Sequence, residues 1–232
     1  AGLSSWAGPF AFKTACNTFT APYTQDFENS GAEPICWSHD TGAENWLFTN
    51  TAGSNHIGNE GAITLSTASG GYFAWVDSSG TEANAVLLSS LVDVSGLTTP
   101  SLTFYELSHK EDSAMNSQLL VEVYDGAAWN TVGTYNTNTS GWEFKIIDIS
   151  NLTFTGLAQA RFTFTELNSA LFDDDIAIDD VTFGELPTCP PPSGLMVTNF
   201  SDVSADLSWT AGGTETMWNV EYGNAGFTQG MG

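Results

Sequence analysis

The stretch FDDDIAIDDVTF, residues 172–183, sets five aspartates among strand-forming residues. In a strand, Ile176 and Ile178 face one side and Asp179 the other, so the alternation predicts Asp180 on the isoleucine side. A carboxylate on that side is costly unless it is paired, and no basic residue lies near it in sequence. A cation such as Ca²⁺, which takes six to eight oxygen ligands, would pair with it. Alternatively, these are solvated aspartates, with Asp180 at the end of a strand.

Short runs with alternating apolar residues recur on both sides of this stretch. Their period of two and their β-branched and aromatic residues predict half-buried antiparallel strands. No run has the pattern of an amphipathic helix, and Asp125 and Gly126 in YDGAAW predict a hairpin turn. The sequence therefore predicts an all-β, antiparallel sandwich. The runs are GYFAWVDSS (71–79), AVLLSSLVDVS (85–95), SLTFYEL (101–107), LLVEVYDG (119–126), FKIIDIS (144–150), ARFTFTEL (160–167) and IAIDDVTF (176–183).

The charge balance excludes several classes of partner. Acidic residues outnumber basic ones by 27 to 4 and the net charge is −23, so the chain repels nucleic acid and anionic lipid. No run approaches the length of about 18 apolar residues that a spanning helix needs. An HExxH or GxSxG motif is absent, and we expect no enzymatic activity. The basic residues are Lys13, Lys110, Lys145 and Arg161.

The cysteines and prolines bear on compartment and organisation. Cys16 and Cys36 are close enough in sequence for a disulfide to close a short loop in an oxidising compartment. Cys189 would then lack a cysteine partner in this sequence. Alternatively, all three are free buried thiols. The segment LPTCPPPSG, residues 186–194, contains three consecutive prolines, which stiffen it into an extended linker. A second unit is predicted to start there.

Several motifs resemble known families of extracellular domains. Residues 19–185 resemble a MAM domain, and residues 190–223 and 2–15 resemble the first strands and the last strand of fibronectin type III domains. In the second unit ADLSW (205–209) matches strand B and WNVEY (218–222) strand C. The segments that match the MAM family are DFEN (26–29), CW (36–37), NW (45–46), GGYFAWVDSS (70–79), LLSSLVDVSGLTTPSLTFYE (87–106) and DIAIDDVTF (175–183).

The resemblance implies a domain organisation and a metal site. The implied segments are 1–15, the end of a fibronectin type III domain; 16–187, a MAM-like jelly roll; and 188–232, the start of the next fibronectin type III domain. Giant repeat-containing bacterial surface or secreted proteins have such arrays. The MAM resemblance also implies a structural Ca²⁺, with ligands carried over onto Glu28, Asp77 and Asp180 and with Asp26 and Asp179 in reserve.

These observations predict a non-catalytic, extracellular adhesion or structural repeat module, stiffened by calcium within a long stalk or filament. Its partners would be sister chains or neighbouring repeats and glycans. The alternative is a carbohydrate-binding module of a secreted polysaccharide-degrading protein. Two of the eight tryptophans, Trp129 and Trp142, lie beside turns and are candidates for stacking on sugar rings. Packing is the alternative role for both.

Overall fold

A computed structural model describes residues 16–40, 45–51, 71–76, 84–110, 117–139, 141–166 and 174–223. These residues form strands and connections without a helix, which confirms the predicted all-β class. The strands, numbered along the chain, are β1 (Phe19–Thr20), β2 (Tyr23–Gln25), β3 (Ser38–His39), β4 (Trp46–Thr49), β5 (Phe73–Val76), β6 (Ala85–Leu88), β7 (Val92–Asp93), β8 (Pro100–Lys110), β9 (Ser117–Tyr124), β10 (Trp129–Tyr135), β11 (Glu143–Asp148), β12 (Gln159–Glu166), β13 (Asp174–Glu185), β14 (Ser193–Thr198) and β15 (Asp206–Thr210).

Two antiparallel sheets form a sandwich. The five-stranded sheet has the order β10-β9-β12-β6-β3, and the six-stranded sheet has the order β11-β8-β13-β5-β4, with β2 also paired to β13. The sheets meet where Phe104 on β8 packs edge-on against Phe162 on β12, with ring centroids 5.3 Å apart. The short strands β1 and β7 pair in parallel. Every run of alternating residues in the predicted set contributes to this sandwich.

Alternation along the strands separates the core from the solvent-facing side. In β9 and β12 every second residue is buried and the residues between are half-buried. Such a pattern is typical of a sheet with one face on the core and one face in water. Each fully buried side chain of the size of Leu119 or Phe162 contributes about 1.5–3 kcal/mol. The six-stranded sheet differs, because a second buried cluster, Phe73, Trp75, Leu107 and Ala177, lies apart from the main core.

The β-bulge in β13 corrects the predicted orientation of Asp180. The pairing of β13 with β8 shifts between Asp179 and Thr182, and Asp180 has a φ of 51°. A bulge inserts one extra residue and so reverses the alternation beyond it. Val181 and Phe183 consequently face the core, whereas Asp180 is only half-buried. Asp180 therefore does not share the side of the isoleucines.

Two local features agree with the sequence. The β9–β10 hairpin turns at Asp125 and Gly126, where Asp125 Oδ1 accepts the backbone N–H groups of Ala127 and Ala128 at 2.8 Å each. Gly126 has a φ of 96°, a conformation in which a side chain is strained. Cys16 and Cys36 form a disulfide, whereas Cys189 is an exposed free thiol.

The chain divides into two compact units, residues 1–185 and 186–232. In the second unit β14 and β15 form an antiparallel pair. The segment 218–222, expected to be a third strand, is not a strand in the structure. A strand forms its backbone hydrogen bonds with a neighbouring strand, and the strand pairs of the described residues do not include this segment. The predicted segment 1–15 lies outside the described residues.

Candidate functional site

The solvent-facing side of the five-stranded sheet is almost free of charge. Strand alternation and the pairing register identify its positions on β3, β6, β9, β10 and β12. Among these described positions, the charged residues are Glu122 and Arg161. Most of the others carry amide or hydroxyl groups, which can both donate and accept hydrogen bonds. These polar neutral residues include Gln118, Thr131, Thr134, Gln159, Thr163 and Thr165.

Four side chains at one end of this face form a cluster that we call the aromatic platform: Glu122, Tyr124, Trp129 and Arg161. The guanidinium carbon of Arg161 lies 4.2 Å from the centroid of the Trp129 ring. The rings of Trp129 and Tyr124 are tilted by 46° with centroids 5.4 Å apart. Arg161 Nε donates a hydrogen bond of 2.6 Å to Glu122 Oε2. Each member therefore restrains another, so the platform is preorganised.

The pairing of three neighbouring strands assembles the platform. Trp129 on β10 lies opposite Tyr124 on β9, and Arg161 on β12 lies opposite Glu122 on β9. Directly opposite residues share a face and interact as cross-strand pairs. The turn at Asp125 and Gly126 sets the register that places Trp129 beside Tyr124. Both aromatic rings remain half-buried and not fully enclosed.

The aromatic platform has the chemistry of a site for a polar ligand with apolar faces. Aromatic rings such as those of Tyr124 and Trp129 supply apolar contact surface. The surrounding hydroxyl and amide groups can supply directional hydrogen bonds. Trp129 was a predicted ligand-binding residue, and the structure places it on this open face. Arg161 and Glu122 were not predicted, although Arg161 was conspicuous as one of four basic residues.

Trp142, the other predicted ligand-binding residue, packs within the protein. Its ring lies edge-on against Phe73, with centroids 5.6 Å apart, and it covers the second buried cluster of the six-stranded sheet. The structure does not bring Trp142 to the face that carries Trp129. Its position supports the packing alternative.

Four of the predicted metal ligands lie where β2 meets β13. Gln25 pairs with Val181, so Asp26 and Asp180 follow at the same end of this pairing. Asp26 and Glu28 are exposed. Glu28 Oε1 accepts the backbone N–H of Tyr72 at 2.7 Å.

Asp179 and Asp180 behave differently from each other at this junction. Asp179 is 1% exposed, and its Oδ1 accepts the backbone N–H of Asp180 at 2.7 Å. Desolvation, and to a lesser extent the charge of Asp180, raise the pKa of Tyr105. Asp77, also predicted, lies outside the described residues.

The described carboxylates at this junction do not converge on one point. Within residues 16–40, 45–51, 71–76, 84–110, 117–139, 141–166 and 174–223, no three His, Cys, Asp or Glu side chains form a group that could hold a metal ion. A Ca²⁺ ion needs more oxygens than one or two carboxylates supply. As they stand, Asp26, Glu28, Asp179 and Asp180 therefore do not fit a complete calcium site.

The structure also contains a buried ion pair that was not predicted from the sequence. Glu106 on β8 is 1% exposed, and its Oε2 lies 3.0 Å from Lys145 Nζ on β11. Lys145 also bonds Glu143 Oε2 at 2.8 Å, and Ser108 Oγ donates to Glu106 Oε1 at 2.8 Å. Desolvation raises the pKa of Glu106, and the charge of Lys145 offsets part of that rise. Desolvation lowers the pKa of Lys145, but Glu143 and Glu106 together raise it above its ordinary value.

No family model matches the chain, and no curated protein matches it in sequence. Among solved structures, it resembles the K3 cleaved adhesin domain of Lys-gingipain from Porphyromonas gingivalis w83, with 16% identity and a TM-score of 0.47 over 70% of this chain and 98% of that one. It also resembles the CBM22-1 xylan-binding domain of Xyn10C from Paenibacillus barcinonensis, with 10% identity and a TM-score of 0.43 over 75% and 100% of the two chains. These likenesses concern β architecture alone. No helix of the described residues is long and apolar enough to cross a membrane.

Proposed function

We propose that this chain is a non-catalytic, extracellular adhesion module that binds glycans through the solvent-facing side of its five-stranded sheet. The observation that carries the proposal is the aromatic platform, in which Tyr124 and Trp129 lie side by side on an open, hydroxyl-rich face. Sugars present both apolar ring faces and hydroxyl groups. The platform and the neighbouring threonines and glutamines complement both.

An extracellular setting is consistent with the chemistry of the chain. Disulfides such as the one between Cys16 and Cys36 persist in oxidising compartments. The resemblance to alternating MAM and fibronectin type III domains supports an adhesive role in a long surface protein, with sister chains or neighbouring repeats as partners. A carbohydrate-binding module of a secreted polysaccharide-degrading protein would use the same face, so the aromatic platform supports glycan binding in either setting.

Calcium stiffening is a separate part of the proposal. It is supported by the shared location of Asp26, Glu28 and Asp180 at the β2–β13 junction and by the acidity of the chain, whose 27 carboxylates face only 4 basic side chains. These side chains would have to turn toward one another, and backbone carbonyls or water would have to complete the shell. Bound calcium would then join the first and last strands of the sandwich, β2 and β13.

Glycan binding can be tested with the Trp129→Ala variant. We expect saturable retardation of the wild-type chain in affinity gels that contain a neutral polysaccharide such as xylan, agarose or a soluble β-glucan. Loss of the Trp129 ring removes an aromatic contact worth about 0.5–1.5 kcal/mol, so the variant should bind roughly two- to twelvefold more weakly.

Tyr222→Ala is the matched control, since it removes an exposed aromatic ring from the second unit. It should bind as the wild type does. Thermal unfolding of all three proteins would show that each is folded. Equal binding by Trp129→Ala and wild type would contradict the proposal.

A further inference from the structure

The two charges on the solvent-facing side of the five-stranded sheet neutralise each other. Glu122 and Arg161 are opposite in register on β9 and β12, and they form an ion pair of 2.6 Å. The side chain of Glu122 is 13% exposed and that of Arg161 is 29% exposed, so the pair lies at the surface where a ligand would contact it. Among the described strand positions of this face, no further charge adds to the pair.

A neutral face stands out on this protein. The whole chain has a net charge of −23, and its long-range field repels anions. Acidic side chains are spread over much of the sequence, and Asp125 lies in the turn beside Trp129, yet the described strand positions of this face carry no net charge. An anionic ligand that reached it would find Arg161 already bound to Glu122 and would bring its own charge close to the Glu122 carboxylate.

We propose that the aromatic platform is specific for neutral glycans and that Glu122 is a specificity-determining residue, because it neutralises Arg161 and repels carboxylated sugars. This inference rests on the proposed glycan binding. The guanidinium group keeps two functions in this arrangement. It packs over the Trp129 ring at 4.2 Å and holds that ring in place. Its N–H groups other than Nε–H can donate hydrogen bonds to sugar hydroxyls.

Matched pairs of polysaccharides that differ in charge would test the inference on the full chain. Suitable pairs are hydroxyethylcellulose with carboxymethylcellulose, and methyl-esterified pectin with polygalacturonate, joined by xylan and agarose as further neutral ligands. We expect binding to neutral members and at least tenfold weaker binding to the anionic member of each pair. Binding to the neutral members should change less than twofold between 20 and 500 mM NaCl, because no net charge is involved.

Glu122→Gln should weaken the preference for neutral over anionic polysaccharides, because it frees Arg161 from its ion pair. The ratio of neutral to anionic affinity should fall at least threefold at low salt, and the added anionic binding should be lost again in 500 mM NaCl. Glu143→Gln is the matched control, since it removes an equal charge from another Glu that pairs with a basic residue, Lys145. Its selectivity should equal that of the wild type.

The outcomes separate this inference from the proposed function. Equal or tighter binding of the anionic members by the wild type would overturn neutral specificity and leave glycan binding intact. Unchanged selectivity in Glu122→Gln would overturn the assigned role of Glu122. If no polysaccharide of the set bound, or if Trp129→Ala bound them all as the wild type does, the proposed function itself would fail, and the inference with it.

Discussion

Replacement of Lys145 by methionine should leave a buried carboxylate without its cation. Lys145 Nζ lies 3.0 Å from Glu106 Oε2, a separation at which two unit charges attract by roughly 5 kcal/mol at an effective dielectric constant of 20. Desolvation offsets part of that attraction, but removal of one partner from a buried pair typically costs about 3–5 kcal/mol. Because Glu106 can take up a proton instead, we expect a loss of about 3 kcal/mol at pH 7, which lowers Tm by roughly 6–12 °C for a domain of this size.

The pH dependence of this loss follows from the pKa of Glu106, which is raised in the folded state. A carboxyl with a raised folded pKa adds stability below its unfolded pKa, and that contribution is lost as pH rises through the folded pKa. Without Lys145 the folded pKa of Glu106 should rise further. The difference in unfolding free energy between Lys145→Met and wild type should therefore be smallest near pH 4 and largest near neutral pH.

Urea unfolding at several pH values would measure this difference, with two control variants. Glu143→Gln removes the more exposed partner of Lys145, whose side chain is 42% exposed, and should cost less than about 1 kcal/mol. The double variant Glu106→Gln with Lys145→Met removes both buried charges and should recover most of the stability. A Lys145→Met variant as stable as wild type at pH 7, or a double variant no more stable than Lys145→Met, would refute the reasoning.

Two further predictions concern the β9–β10 turn and the metal. Gly126→Ala should lower the free energy of unfolding in urea by at least about 2 kcal/mol, because its positive φ disfavours a side chain and the new Cβ would lie 2.8 Å from Gly156 Cα. Gly96→Ala is the control, since it has open space around it and should change stability by less than about 0.5 kcal/mol. Equal losses of stability in the two variants would contradict this prediction. Calcium at 100 times its Kd should raise the free energy of unfolding of the wild type by about 2.7 kcal/mol relative to EDTA, which thermal unfolding would show as a higher Tm. Asp180→Ala should abolish this rise in Tm, and the control Asp148→Ala should retain it. Coincident melting curves in calcium and EDTA would argue against a calcium site.

Features that depend on local physics were predicted correctly from the sequence. The strand runs and the turn at Asp125 and Gly126 were predicted, because the period-two pattern and the turn residues act within a few neighbouring positions. The predicted orientation of Asp180 was wrong, since the bulge depends on how β13 pairs with β8. The strand predicted at residues 218–222 was also wrong, because alternation within a segment does not decide whether the segment joins a sheet.

The candidate site likewise combines one residue that local sequence predicted with others that only strand pairing brings together. Its membership could be predicted for Trp129, which lies beside a recognisable turn, but not for its partners. Glu122 and Arg161 are 39 residues apart in sequence, and only the pairing of β9 with β12 makes them neighbours. The same holds for Glu106 and Lys145, whose contact depends on the register of β8 with β11. The scarcity of basic residues, 4 in the whole chain against 27 acidic ones, was the one signal that pointed to these pairs.

By itself, the sequence determined the all-β class and the positions of most strands, because backbone preference and the period-two pattern need no long-range contact to act. Only the tertiary structure decided which tryptophan lies on an open face, which carboxylates are buried and which charges cancel. Those properties arise from strand register, and register joins residues that are far apart along the chain.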